Sequence, residues 1–286
     1  MTAAMAFIDF KNKLKTIYGD QEAHNITEWV FENTTGLKKW EIRNSRHDLE
    51  EIVFDQTKIY LYELLQHKPV QYILHEAWFY KMKFYVDENV LIPRPETEEL
   101  VEWVIDDIGY MMLDVRCKII DIGAGCGCIS ISLKKNLPAS NITAIDISEK
   151  VEKVIKINAQ ELNTEIDFLQ VDFLNENTWN KLQQYDIIVS NPPYIPLEEK
   201  EILAKNVSDF EPQIALFVPD NDPFIFYNKI SKFALSHLNE NGKIYVEVHE
   251  KYANDVKNIF EASGFISMIK KDIYGKERMI RAFKTN

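Results

Sequence analysis

The chain is poor in basic residues, cysteine and glycine, and it has no long apolar run. Its 286 residues carry 33 Lys and Arg against 45 Asp and Glu, a net charge of −12. A surface of that sign repels polyphosphate, so stable nucleic-acid binding is not expected, and a cationic small molecule or a basic protein is the more natural partner. Cys117, Cys126 and Cys128 are odd in number and clustered, which excludes a disulfide framework and fits a reducing compartment. His24, His47, His67, His75, His237 and His249 are scattered without metal-ligand spacing, so no metal centre is expected. No segment approaches the roughly 18 uncharged apolar residues of a membrane span. The N-terminal "MTAAMAFIDFKNKL" lacks the apolar core and cleavage pattern of a signal peptide. A cytoplasmic protein that stays out of membranes is the expectation.

What is present is enough for real cores: 46% of residues are apolar and 12% aromatic. Residues 1–75 contain almost no glycine or proline. "FIDFKNKLKTIY", "NITEWVFENTTG" and "DLEEIVFDQTKIYLYELLQ" carry apolar residues at three- and four-residue spacing, which predicts a small helical bundle with Gly36 ending one helix and Asp48 capping another. In residues 76–95 the aromatic, β-forming "WFYKMKFYV" predicts a hairpin linker. From residue 96 to 286, strand-like and helix-like segments alternate, including "CKIIDIG", "NITAIDI", "IDFLQVD", "YDIIVSN" and "GKIYVEV". This alternation predicts a parallel sheet with helices on both faces, an α/β fold. The closing "ISMIKKDIY" and "RMIRAF" predict a hairpin that adds one antiparallel strand at the sheet edge.

The first strand of the sheet ends in "DIGAGCGCI", residues 121–129. Gly123, Gly125 and Gly127 allow a sharp turn and close approach of a ligand at the carboxyl end of a strand, where open α/β sheets bind. The spacing is one residue short of the dinucleotide fingerprint, and no lysine follows to make a phosphate loop. Asp146, Asp172 with Phe173, and Asn191 close the next three strands. Each alone reads equally well as a turn or cap residue. Together they outline a crevice for a nucleoside, with Asp146 on the ribose and Asp172 and Phe173 at the base. Carboxylates at Asp121, Asp146 and Asp172 would repel phosphate and attract the sulfonium of S-adenosyl-L-methionine, so a methyltransferase is favoured over a dehydrogenase.

"NPPY", Asn191 to Tyr194, is similar to the motif of methyltransferases that act on planar nitrogen. Such a nitrogen shares its lone pair with a π system and is a poor nucleophile. The Asn191 oxygen and the Pro192 carbonyl could accept its N–H groups and favour pyramidal geometry, with Pro193 stiffening the turn and Tyr194 packing on the planar group. An adenine amine and a glutamine amide both satisfy this pattern.

"KPVQYILHEAWFYKMKFYVDENVLIPRPETEELV", residues 68–101, closely resembles the linker of the HemK-type protein-(glutamine-N5) methyltransferases of peptide-chain release factors. The resemblance continues in "DIGAGCGCI", "NPPYIP", "FEPQIALF" and "DIYGKERMIRAF". It implies a Rossmann-like class I methyltransferase fold with a mostly parallel seven-stranded sheet, preceded by a helical domain that docks the release factor. The implied reaction methylates the glutamine of the Gly-Gly-Gln loop, with adenine in nucleic acid second and an inactive donor-binding subunit third. It also implies donor contacts from Asp121, Gly123, Ala124, Gly125, Cys126, Gly127, Asp146, Asp172, Phe173 and Asn191, and glutamine binding by Asn191, Pro192, Pro193 and Tyr194. Arg94 and Glu96 would be structural or gating. A monomer is expected, transferring the methyl group directly with no covalent enzyme intermediate and no metal; Cys126 and Cys128 would serve packing. His75, Lys81 and His249 stand where the family often has glycine, and "VPDNDP" replaces a more glycine-rich loop, which puts the local loop shapes in question.

Overall fold

The computed structural model describes residues 1–45, 48–109 and 116–284; His47 lies outside them. The chain divides into two compact units, one of Met1–Glu76 with Ala204–Phe210, the other of Ala77–Leu203 with Glu211–Asn286. In the first unit, helices Ala3–Leu14, Asp20–Thr35, Lys39–Asn44, Glu51–Leu65 and Val70–Leu74 bury Phe7, Phe10, Leu14, Val30, Phe31, Ile42 and Leu64. Gly36 ends its helix at φ 69°, a left-handed cap that donates its N–H to the Glu32 carbonyl. Asp48 does not cap: the helix begins later, at Glu51, and Asp48 instead pairs with the N-terminal amine at 3.0 Å.

The second unit opens with a hairpin of β1 (Ala77–Phe79) and β2 (Met82–Phe84). Tyr80 and Lys81 form its two-residue turn at φ 49° and 62°, the backbone of a type I′ turn, which normally takes Asn-Gly because both residues are left-handed. Phe79 and Phe84 anchor the hairpin in the core of this unit. The sheet strands are β3 (Lys118–Ile122), β4 (Asn141–Asp146), β5 (Asp167–Gln170) and β6 (Tyr185–Ser190). A two-residue pair, β7 (Ile195–Pro196) and β8 (Phe217–Val218), stands apart, and β9 (Leu238–Glu247), β10 (Phe265–Lys271) and β11 (Glu277–Lys284) complete the sheet. Among the described residues the sheet has seven strands in the order β10-β11-β9-β6-β3-β4-β5.

The central strands are dense in isoleucine and valine because both faces are covered. Ile120, Ile122 and Ile188 pack with Tyr227, Phe233 and Val256 on one face; Ile119, Ile187 and Val189 pack with Leu100, Val104 and Ile131 on the other. The antiparallel strand is one place in from the edge. β11 pairs with both β9 and β10, and its Met279, Ile280 and Ala282 are wholly buried, whereas β10 alternates buried and exposed residues. The more apolar arm of the hairpin takes the inner position because it has more to gain from burial. Between β5 and β6 the chain forms a 3-10 turn, Glu176–Lys181, with Asn175 accepting from the Asn177 N–H at its start. No helix among the described residues is long and apolar enough to cross a membrane.

Candidate active site

Parallel register sets the site. Ile122 pairs with Ile145 and Ser190, and Asp146 pairs with Gln170. The segments that follow β3, β4, β5 and β6 therefore leave the sheet side by side, at its carboxyl edge. They wall a cavity open to solvent, lined by Gly123, Gly125, Asp146, Asp172, Phe173, Asn191, Pro192 and Pro193 among others. Eight residues expected at the site thus meet on one wall.

The other expected residues serve the wall from behind. Gly123 and Ala124 donate their N–H groups to the Ile145 carbonyl at 2.9 and 3.0 Å, folding the loop over β4. Gly127, at φ 81°, starts the helix Cys128–Asn136, and a Cβ there would stand 3.3 Å from Ile155. Asp121 does not reach the cavity. It is wholly buried, and its Oδ2 accepts from the Ser130 N–H at 3.1 Å and hydroxyl at 2.5 Å, holding the start of that helix to the sheet. Burial pushes its carboxyl up to about 7, against the pull of the two Ser130 bonds. Ala124 and Cys126 are buried in the loop. The Cys126 carbonyl accepts from Asn158, whose side chain also clamps the Tyr85 N–H and carbonyl.

Asp146 accepts from the Gly125 N–H at 3.1 Å and the Ser148 N–H at 3.0 Å, so its carboxylate is fixed at the mouth of the glycine loop. Burial raises its pKa and the backbone bonds oppose that. Asp172 lies two residues past the end of β5 rather than closing it, and accepts from the Leu174 N–H. Phe173 lines the cavity while its ring packs edge-on against Phe233, 5.4 Å between centroids, so its ring is held from the core side. Asn191 donates Nδ2 to the Thr97 hydroxyl at 3.0 Å. Tyr194, expected as a wall for the planar group, does not line the cavity: its hydroxyl donates to Glu247 at 3.2 Å and its ring packs on the core.

Arg94, expected to be structural or gating, pairs with a buried carboxylate. Its guanidinium meets Glu211 Oε1 at 2.5 Å, and Oε2 of the same carboxylate accepts from the Ile92 N–H at 3.2 Å. This ties Asn89–Leu91 to Pro212–Ala215, two segments that also line the cavity. Glu96 is partly buried in the first turn of helix Pro95–Gly109. His249 needs no glycine: its φ is −66°, and its ring caps the Lys251 N–H. His75 does adopt the left-handed region, at φ 53°.

Thr97, Asn158, Glu211 and Glu247 were not singled out from sequence. Asn158 could have been, since it occupies the apolar stripe of Val151, Val154 and Ile155 on helix Glu149–Glu161. Glu247 likewise interrupts the apolar "IYVEV", an unpaired charge in a strand that must be buried.

The methyltransferase small domain family matches residues 109–208. The release factor glutamine methyltransferase of Flavobacterium psychrophilum is 41% identical over 274 residues, 95% of this chain and 95% of that protein. That of Bacteroides thetaiotaomicron is 39% identical over 282 residues, covering 95% and 96% respectively. The chain belongs to the release factor glutamine methyltransferase family. A methyltransferase from Pyrococcus furiosus shares the fold, with a TM-score of 0.52 at 16% identity over 80% of this chain and all of that one. The sheet is thus that of a Rossmann-like methyltransferase, and S-adenosyl-L-methionine is the family's methyl donor. The cavity's lining fits it: the glycine loop leaves backbone exposed, and the fixed carboxylate of Asp146 can accept from ribose hydroxyls.

Proposed function

We infer that the protein transfers a methyl group from S-adenosyl-L-methionine to the side-chain amide nitrogen, N5, of the Gly-Gly-Gln glutamine in peptide chain release factors. The observation that carries this reading is the Asn191–Pro193 segment, set on the wall of the cavity beside Asp146 and the glycine loop in a chain of this family. The donor supplies an electrophilic methyl group on a sulfonium. The chain's part is to place the nitrogen. Asn191 Oδ1 and the Pro192 carbonyl accept its two N–H groups, and the consecutive prolines fix the carbonyl in advance, so no reorganisation is needed as the bond forms. The amide nitrogen becomes acidic as it is methylated and loses a proton to water, with no general base required. Docking of the release factor on the helical unit belongs to the same reading. Exposed Ile52, Ile59 and Tyr62, which share one face of helix Glu51–Leu65, support it.

Replacing Asn191 by alanine tests the acceptor role. The turnover of a release factor should fall by about 100-fold or more, and a variant near the wild-type rate would remove Asn191 from the mechanism.

A further inference from the structure

An asparagine amide has nearly the same shape either way round, yet only one orientation serves the reaction. With Oδ1 toward the cavity it accepts the glutamine N–H; with Nδ2 there, two N–H groups would oppose each other. The orientation of Asn191 must therefore be set by what lies behind it.

Behind it is a chain of buried hydrogen bonds drawn from three elements. Thr97, in the first turn of helix Pro95–Gly109, and Glu247, at the end of β9, are each 2% exposed. The Thr97 hydroxyl lies 2.6 Å from Glu247 Oε2 and 3.0 Å from Asn191 Nδ2. The Tyr194 hydroxyl meets the other oxygen of Glu247; burial raises the pKa of this carboxyl, while the two hydroxyls and the Arg278 charge favour its ionised form. With a hydroxyl donor on each oxygen, Glu247 accepts on both sides as a carboxylate does, so Thr97 spends its single proton on it. Its oxygen can then only accept on the other side, so the atom of Asn191 beside it must be the N–H group. A charged residue at so buried a place is expensive in stability relative to an apolar one. Setting the direction of this chain is what it provides.

We propose that Thr97 and Glu247 are positioning residues that hold the Asn191 amide with its oxygen toward the substrate glutamine, an assignment that rests on the glutamine reading above. Tyr194, the last residue of the motif, closes the chain on Glu247 and so acts on Asn191 from behind rather than on the substrate directly.

Thr97→Val removes the hydroxyl at nearly constant volume, Thr97→Ser keeps it, and Glu247→Gln offers an amide that can donate to Thr97 and reverse the chain. With a release factor as substrate, Thr97→Val and Glu247→Gln should lose about 10- to 100-fold in kcat/KM, Thr97→Ser should recover to within about 3-fold, and donor Kd should change by less than about 3-fold throughout. A second readout needs no turnover: the Asn191 side-chain NH2 resonance of the donor-free protein, identified by its loss in Asn191→Ala, should shift in Thr97→Val and Glu247→Gln and stay in place in Thr97→Ser. If Thr97→Val does not fold, Glu247→Gln is read in the same way. Wild-type activity in the folded hydroxyl-free or reversed variant, equal impairment in Thr97→Ser, or an unmoved resonance would overturn the proposal. A wild-type protein that leaves the release factor glutamine unmodified would instead overturn the glutamine reading, with the resonance still deciding the orientation.

Discussion

Asn158→Leu keeps the branched shape of the side chain and should cost about 3 kcal/mol of stability, because Asn158 has no exposed surface and makes three hydrogen bonds. Oδ1 accepts from the Tyr85 N–H at 2.6 Å, while Nδ2 donates to the Tyr85 carbonyl at 3.0 Å and the Cys126 carbonyl at 2.9 Å. Each bond contributes roughly 1 kcal/mol net, and leaving the buried Cys126 carbonyl without this donor adds a desolvation penalty that the apolar gain of leucine only partly offsets. In a unit of this size that corresponds to a fall in Tm of about 6–12 °C, read by circular dichroism. Donor affinity, measured by calorimetry, should weaken as well, since the clamp holds the glycine loop. Asn158→Asp sharpens the test: its carboxylate would face two carbonyl oxygens, so it should be worse than leucine at pH 8 and recover at pH 5, where protonation restores one donor. A leucine variant that melts within about 2 °C of wild type and binds donor normally would refute the reasoning.

Asp121 gives a pH dependence with a definite sign. Its carboxyl titrates near 7 in the folded chain against an ordinary 3.8, so between those values the native state holds a proton the unfolded chain has lost, and stability falls as pH rises. Asp121→Asn should flatten that decline by about 1.4 kcal/mol per pH unit between pH 5 and 6.5, followed by urea titration; an unchanged slope would show the group already ionised. Lys81→Gly should raise Tm, because glycine relieves a left-handed lysine at a cost to hairpin entropy smaller than the roughly 1–2 kcal/mol of strain removed. A lowered Tm would mean that Tyr80 and Lys81 leave that turn in solution.

Much of the site was legible because its signals are local. β-branched runs marked the central strands, the glycine loop marked the end of β3, and the double proline marked the end of β6. What was not legible depends on pairing across the chain. Thr97 meets Glu247 across 150 residues and Arg94 meets Glu211 across 117, so no window of sequence contains either pair. The terminal hairpin was plain from its turn, but which arm would join β9 depended on how much each had to bury. Lys81, His75 and His249 illustrate a middle case: their sequence positions put the loop shapes in question without fixing them, and the first two stand on left-handed backbone while His249 does not.

The central claim is that the glutamine of a release factor receives the methyl group. Incubating the protein with isotopically labelled S-adenosyl-L-methionine and a release factor, followed by fragmentation mass spectrometry, tests it most directly. Label on the side chain of the Gly-Gly-Gln glutamine is the predicted result; label confined to other residues, or appearing on adenine of added nucleic acid and not on the release factor, would contradict it.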